Sequence, residues 1–268
     1  MAFRATPGRT GRLVQLDADE ILVAGDLHGH LGNFQQVLKL ANLDANPRRH
    51  LVFQEVVHGK FFYPGGGEKS HQLLDLIAVL KCKYPERIHL LPGNHELSQI
   101  TNRPIQKGDD DLNEIFDRGV EMAYPVHHEE ILSAYRELLH AVPLALRTSN
   151  RIFISHSLPS TRRMDDFRLE ALLEDRTDEK ELLPGGSVFA MVWGRDTSQE
   201  NVEAYLQKVD ADFLISGHIP TEEGYEVPNG RQLILDCMDH PAACCLVSAS
   251  ESISHDDLVS GIRILQGA

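Results

Sequence analysis

The sequence predicts an α/β protein, and three observations carry the prediction. Four short apolar runs, at residues 21–24, 88–91, 152–155 and 213–216, have the length and β-propensity of fully buried strands. The stretches after the early strands carry apolar residues at helical spacing, as in βαβ units. Each of the four runs also ends in polar side chains that bind metals: Gly25-Asp26-Leu27-His28-Gly29, Gly93-Asn94-His95-Glu96, His156, and Gly217-His218.

The first fifteen residues hold several arginines and glycines and no following apolar run, so they are no secretory signal and are expected to be disordered. Strand 21–24 follows, then a helix over 30–43, where Phe34, Val37, Leu38 and Ala41 make one apolar face. A second strand, 51–54, runs into Glu55-Val56-Val57-His58-Gly59-Lys60, and the Gly-rich stretch 63–68 reads as a loop. The next helix shows Leu73, Leu74, Ile77 and Leu80, and strand 88–91 follows it. Residues 107–142 read as a mainly helical, cap-like insertion, with Glu129, Glu130, Arg136 and Glu137 outward and Ile131, Tyr135, Leu138 and Leu139 inward. After His218, segments near 223–227, 231–236 and 243–248 look like an antiparallel run that ends the second sheet.

In open α/β sheets ligands bind beyond the carboxyl ends of the strands, where loops converge on a rigid scaffold. Carboxylate, amide and imidazole groups placed there suit Mn²⁺, Fe or Zn²⁺ better than a thiolate-seeking soft metal. The strand-end strings resemble the metallophosphoesterase superfamily, and within it the phosphoprotein phosphatase (serine/threonine phosphatase-like) branch, whose pattern runs GDxHG, GDxVDRG, GNHE and two later histidines. The resemblance spans most of residues 21–220 and implies the family's four-layer α/β/β/α sandwich of two mixed sheets between helices. It implies two divalent metal ions, one on Asp26 and His28, the other on Asn94, His156 and His218. It makes His95 the acid for the leaving group.

The middle motif departs from the family. Glu55 stands where the Asp that bridges both metals is expected, and the second Asp and the Arg of that motif have no direct counterpart. The Arg normally grips phosphate through a bidentate fork, whereas His58 or Lys60 offers less, Lys being a point charge. Glu68 is the candidate to orient His95. Arg195, in Trp193-Gly194-Arg195-Asp196, either supplies the phosphate grip or is a salt-bridged loop residue behind a core Trp. Arg103 is similarly divided between phosphate contact and helix support. His30, His127, His128, His240 and His255 read as surface residues.

With 268 residues, 42% hydrophobic and 25% charged, and with no linker-like tract, the chain reads as one globular domain. A net charge of −14 without any Lys/Arg block argues against nucleic acid as a partner. No run reaches the roughly 18 apolar residues of a membrane span. The cysteines, Cys82, Cys237, Cys244 and Cys245, show no zinc spacing and fit reduced thiols in a cytoplasmic setting.

Together these features point to a phosphate monoesterase acting on a phosphorylated protein or a small phosphoester. Two metals about 3.5–4 Å apart would turn a bridging water into hydroxide for in-line attack, with no covalent enzyme intermediate. The alternatives are a diadenosine polyphosphate hydrolase with the same motif set, and a non-catalytic binding module derived from a phosphatase, because of the altered middle motif.

Overall fold

A strand that is apolar at every position must be covered on both faces, with alternate side chains entering different layers. The computed structural model describes residues 2–108, 110–174 and 177–266 and shows how this chain does it. Five strands, in spatial order β14 (Ile262–Leu265), β13 (Ala242–Ser248), β3 (Glu20–Asp26), β4 (Arg49–Gln54) and β5 (Ile88–Leu91), make one sheet. Seven make the other: β1 (Arg9–Thr10), β2 (Leu13–Leu16), β8 (Ala145–Thr148), β9 (Ile152–Ser155), β10 (Phe213–Ser216), β12 (Gln232–Leu235) and β11 (Tyr225–Asn229). A two-residue ribbon, β6 (Gln106–Lys107) with β7 (Asp110–Asp111), stands apart.

Ile21, Val23, Val52, Ile152, Ile154 and Ile215 all enter the layer between the two sheets. Their strand neighbours Leu22, Ala24, Leu51 and Phe53 face outward beneath α1 (Leu31–Ala41), α2 (His71–Lys83), α4 (Leu112–Ala123) and α5 (His128–Ala141). On the other side Phe153 and Leu214 lie under α6 (Thr161–Met164), α7 (Glu170–Leu173), α8 (Ser187–Trp193) and α9 (Gln199–Lys208). The result is the expected four-layer α/β/β/α sandwich. Two further helices, α3 (Asn94–Thr101) after β5 and α10 (His255–Ser260) against β13, complete it. All four cysteines are free thiols.

What positions the site is strand direction. β3, β4 and β5 are mutually parallel, as are β9 and β10, so the strand ends that carry polar residues gather at one edge of each sheet.

Two expectations are corrected. The start of the chain is ordered: Leu13–Leu16 pairs in parallel with Ala145–Thr148, and burial of Phe3, Leu13, Val14 and Leu16 fastens it. Arg12, almost wholly buried, donates to the Leu139 and Val142 carbonyls at the carboxyl end of α5, where the helix dipole favours a cation. The late segments do not form one antiparallel run: β11 and β12 close the seven-stranded sheet, while β13 crosses to the other and pairs antiparallel with β3 and β14. Its Ala242-Ala243-Cys244-Cys245 stretch is buried on both faces, which an edge strand could not provide. The 107–142 stretch opens with the β6–β7 ribbon before its two helices begin. Asp109, within that stretch, lies outside the described residues.

Phe53 is fully buried, its ring stacked 5.0 Å from that of Phe34. Phe53→Ala is expected to remove about 3–5 kcal/mol of stability, read from chemical denaturation. A loss below about 1 kcal/mol, the size of an ordinary substitution, would contradict the packing of this layer.

Candidate metal centre

Five parallel strands deliver lone pairs to one place. Asp26 closes β3, Glu55 follows β4, Asn94 opens the helix after β5, His156 follows β9, and His218 follows β10 by one glycine. His28, two residues beyond Asp26, sets its Nδ1 against the Val57 carbonyl at 2.9 Å and turns its Nε2 to Glu55 Oε2 at 3.3 Å. His156 Nε2 lies 3.2 Å from both Asn94 Oδ1 and His218 Nδ1, and 3.5 Å from Glu55 Oε1. Its Nδ1 lies 3.5 Å from Asp26 Oδ1. Asp26 Oδ2 accepts from the His218 backbone N–H at 2.6 Å, and Glu55 Oε1 from that of His95 at 2.9 Å. All six residues read from the sequence as metal ligands therefore meet, together with His95, whose ring is 4.9 Å from that of His28.

The local backbone is bent to do this. His28, Glu55, His58 and His218 all have positive φ, at 41°, 30°, 61° and 70°. Such conformations cost of order 1–3 kcal/mol each and persist only where surrounding structure enforces them. Part of that enforcement comes from Glu96, fully buried, which accepts from the Val56 and Val57 N–H groups at 2.7 and 3.0 Å and from Gly93 N–H at 2.8 Å. One carboxylate thus ties the loop after β4 to the loop after β5.

Burial and charge oppose one another across the cluster. Burial resists the charged form of Glu55, yet the charges of His156 and His95 and the His28 hydrogen bond hold its carboxyl well below the usual range. Burial likewise disfavours the His28 imidazolium, but the Glu55 hydrogen bond and charge, with Asp26, raise it to about 10. For His156 burial is outweighed by Glu55 and Asp26, giving about 9. Burial prevails at His95 and His218, each lowered to about 3. Two buried carboxylates thus demand positive charge at this spot.

A cavity of about 460 Å³ opens over the cluster, its far wall made by Phe62, Leu112, Ile115, Pro220 and Met238. Of the four residues expected to touch substrate, Arg195, Lys60 and His58 line it. Among the described residues Arg195 has no carboxylate partner, so it is not the salt-bridged loop residue of the alternative reading. Lys60 is ion-paired with Asp239. Arg103 is not brought in: its guanidinium lies over the rings of Phe189 and Trp193, at 5.0 and 5.8 Å. Glu68 does not orient His95 directly; its Oε1 takes the Nδ1 of His58 at 3.1 Å. A second cavity of about 510 Å³ lies beside the first residues of β4 and β5, but its cations are already matched, Arg48 to Asp17 at 2.8 Å and Lys83 to Asp44 at 3.4 Å.

The sequence profile of the calcineurin-like phosphoesterases matches residues 20–222, which contain every candidate ligand above. The chain belongs to that family. Among curated relatives, a probable serine/threonine-protein phosphatase of Encephalitozoon cuniculi is 26% identical over 231 residues, covering 80% of this chain and 46% of the relative. Human serine/threonine-protein phosphatase 5 is 24% identical over 238 residues, 81% of this chain and 42% of the relative. The chain thus spans less than half the length of these relatives. Among solved structures, a Saccharomyces cerevisiae protein serine/threonine phosphatase superimposes with a TM-score of 0.66 at 18% identity, covering 98% of this chain and 84% of that one. A cold-active protein tyrosine phosphatase does so with a TM-score of 0.65 at 14% identity, covering 99% and 83%.

Calcineurin-like phosphoesterases are metal-dependent, and the donors here fit divalent ions. Asp26 Oδ1, His156 Nδ1 and His218 Nε2 are buried with no hydrogen-bond partner among the described residues. Two donor sets, His28–Glu55–His95 and Asp26–Glu55–His156, each bring their atoms within 4.8 Å of one another, and Glu55 belongs to both. Glycine makes room for the carboxylates: a Cβ on Gly93 would overlap Glu55 Oε1, and one on Gly217 would overlap Asp26 Oδ1.

The sequence reading gave no role to Glu96 or Ser70. Glu96 had a signal, since a glutamate three residues into a helix reaches back to the N-cap backbone. Ser70 had none, because its partners Glu68 and His58 are set by the loop geometry.

Gly93→Ala and Gly217→Ala are expected to weaken metal binding at least about 10-fold while the protein stays folded, as when residues supporting metal ligands are altered. Metal titration of the purified variants, with circular dichroism as the folding control, measures this. Unchanged affinity in both would contradict the cradle.

Proposed function

We propose that the chain is a metal-dependent phosphatase that hydrolyses phosphate monoesters, in the manner of serine/threonine protein phosphatases. The observation that carries this reading is the convergence of Asp26, His28, Glu55, Asn94, His156 and His218 beneath a cavity lined also by Arg195, which has no carboxylate partner among the described residues. Divalent ions such as Mn²⁺, Fe or Zn²⁺ held there lower the pKa of water and neutralise charge on a phosphoryl group. In this reading Asp26 and His28 would hold one ion and Asn94, His156 and His218 the other, with Glu55 the carboxylate available to both.

The remaining residues position and protonate. Arg195 presents its planar fork to phosphoryl oxygens, the geometry that recognises phosphate bidentately. Lys60, tethered to Asp239, adds positive charge at the rim. His95 Nδ1 is enclosed, which leaves Nε2 as the nitrogen open to the cavity and to the leaving oxygen. A proton held at Nε2 passes to that oxygen as the P–O bond breaks, a contribution of roughly 10²–10⁴-fold. Phosphoryl transfer asks little else of the protein than placement and charge neutralisation. The chain's four unpaired thiols fit a reducing compartment.

Two variants test the roles. His95→Ala is expected to slow an alkyl phosphate by roughly 10²-fold or more while sparing nitrophenyl phosphate, whose leaving group needs little protonation; an equal loss on both substrates contradicts the acid role. Asp26→Asn is expected to abolish Mn²⁺-dependent hydrolysis and lower bound metal, and full metal content with the parent rate would defeat the ligand assignment. Comparing phosphopeptides with diadenosine tetraphosphate tests the substrate class: faster hydrolysis of the dinucleotide replaces the monoesterase reading.

A further inference from the structure

The two nitrogens left orphaned next to each other in the cavity wall are His95 Nδ1 and His58 Nε2. Both are buried without a hydrogen-bond partner among the described residues, and their rings lie 5.3 Å apart, centroid to centroid. A buried ring nitrogen with no partner is costly; the two rings are tilted by 53° and no hydrogen bond joins them as they stand, but neighbouring orphans of opposite kind would satisfy each other after a small ring rotation. Which kind each is follows from the far side of His58. Its Nδ1 meets Glu68 Oε1 at 3.1 Å, and the same oxygen accepts from the His58 backbone N–H at 3.2 Å and from Ser70 Oγ at 2.9 Å. A carboxylate oxygen only accepts, so Nδ1 carries the hydrogen, which leaves Nε2 as the nitrogen that can offer a lone pair.

The arrangement is firmly built. The His58 and Glu68 side chains are 0% and 2% exposed. Phe116 sits edge-on to the His58 ring at 5.9 Å, and the Ser70 hydroxyl also accepts from the His58 backbone N–H at 3.2 Å. His58 holds a φ of 61°, and Gly119 lies against the Glu68 backbone where no Cβ fits, so the loop cannot easily slide.

We propose that Glu68, His58 and His95 act as one linked unit: Glu68 fixes the tautomer of His58, and His58 Nε2 accepts the Nδ1 hydrogen of His95. Nε2 is then the only ring nitrogen of His95 left to take up a proton and pass it to the leaving oxygen. No hydrogen crosses between the rings in this step. The P–O bond breaks, its electron pair stays on the leaving oxygen, and the His95 Nε2 proton joins it. His58 and Glu68 are positioning residues, and together they do what the absent second Asp of the middle motif cannot do here. This inference rests on the phosphatase reading above.

Glu68→Gln and His58→Gln, singly and combined, test it with nitrophenyl phosphate and an alkyl phosphate in the Mn²⁺-loaded protein. Each single variant is expected to lose about 10–100-fold in kcat on the alkyl phosphate, as when a residue orienting a catalytic group is removed. KM, bound metal and nitrophenyl phosphate turnover should stay within about threefold. The double variant should be no slower than the worse single one, because residues acting as a unit are not additive. Ring ¹⁵N spectra of the metal-free protein should show His58 protonated at Nδ1 and bare at Nε2. Equal losses on both substrates, additive losses, reduced metal content or the opposite His58 tautomer would each overturn the proposal. A parent protein that binds Mn²⁺ and hydrolyses neither substrate would instead overturn the phosphatase reading on which it rests.

Discussion

The structure is organised around two buried carboxylates. Asp26 and Glu55 sit 6% and 2% exposed at the ends of neighbouring parallel strands, where an uncompensated negative charge would cost several kcal/mol. Imidazoles supply part of the compensation, with His28 and His156 drawn toward their protonated forms. A pair of like charges placed so close, with buried orphan atoms around them, is an arrangement that divalent cations complete. Strand direction, the glycines at 93 and 217, the positive φ angles and the Glu96 tie all serve that placement.

The constraint also explains how one residue replaces another in this family member. Glutamate is one methylene longer than aspartate, so the chain just after β4 has to bend to set the Glu55 carboxylate beside Asp26 and His28. The 30° φ of Glu55 and the Glu96 bonds to the next two backbone N–H groups are that bend. The loop beyond it then delivers His58 rather than an acid or an arginine to the cavity wall. In the proposed reading phosphate recognition falls instead to Arg195, which lines the cavity from the loop after α8.

Much of this was legible in the sequence because strand-end motifs pair a strong local signal, an apolar run, with a chemical one. Asp26, His28, Asn94 and His156 could be placed at strand ends from those strings, while their ligand roles and the four layers came from the resemblance to the metallophosphoesterases that the strings carry. Glu55 was legible only by its position after a strand. Less legible were features that depend on long-range contact. The strand at residues 13–16 is short and follows a glycine- and arginine-rich stretch, so only its parallel pairing with β8 reveals it. Arg103 looked well placed by its distance along the chain from His95, yet it lies over Phe189 and Trp193. Glu68 was recognised as an orienting acid, but its partner is His58, one ring removed from the expected one.

The account stands on Glu55 serving both donor sets. Crystals grown with Mn²⁺ and measured for anomalous scattering test this directly. The prediction is two peaks, one beside Asp26 and His28 and one beside Asn94, His156 and His218, with an oxygen of Glu55 coordinating each. A single peak that Glu55 does not touch, or none within reach of these side chains, would contradict it.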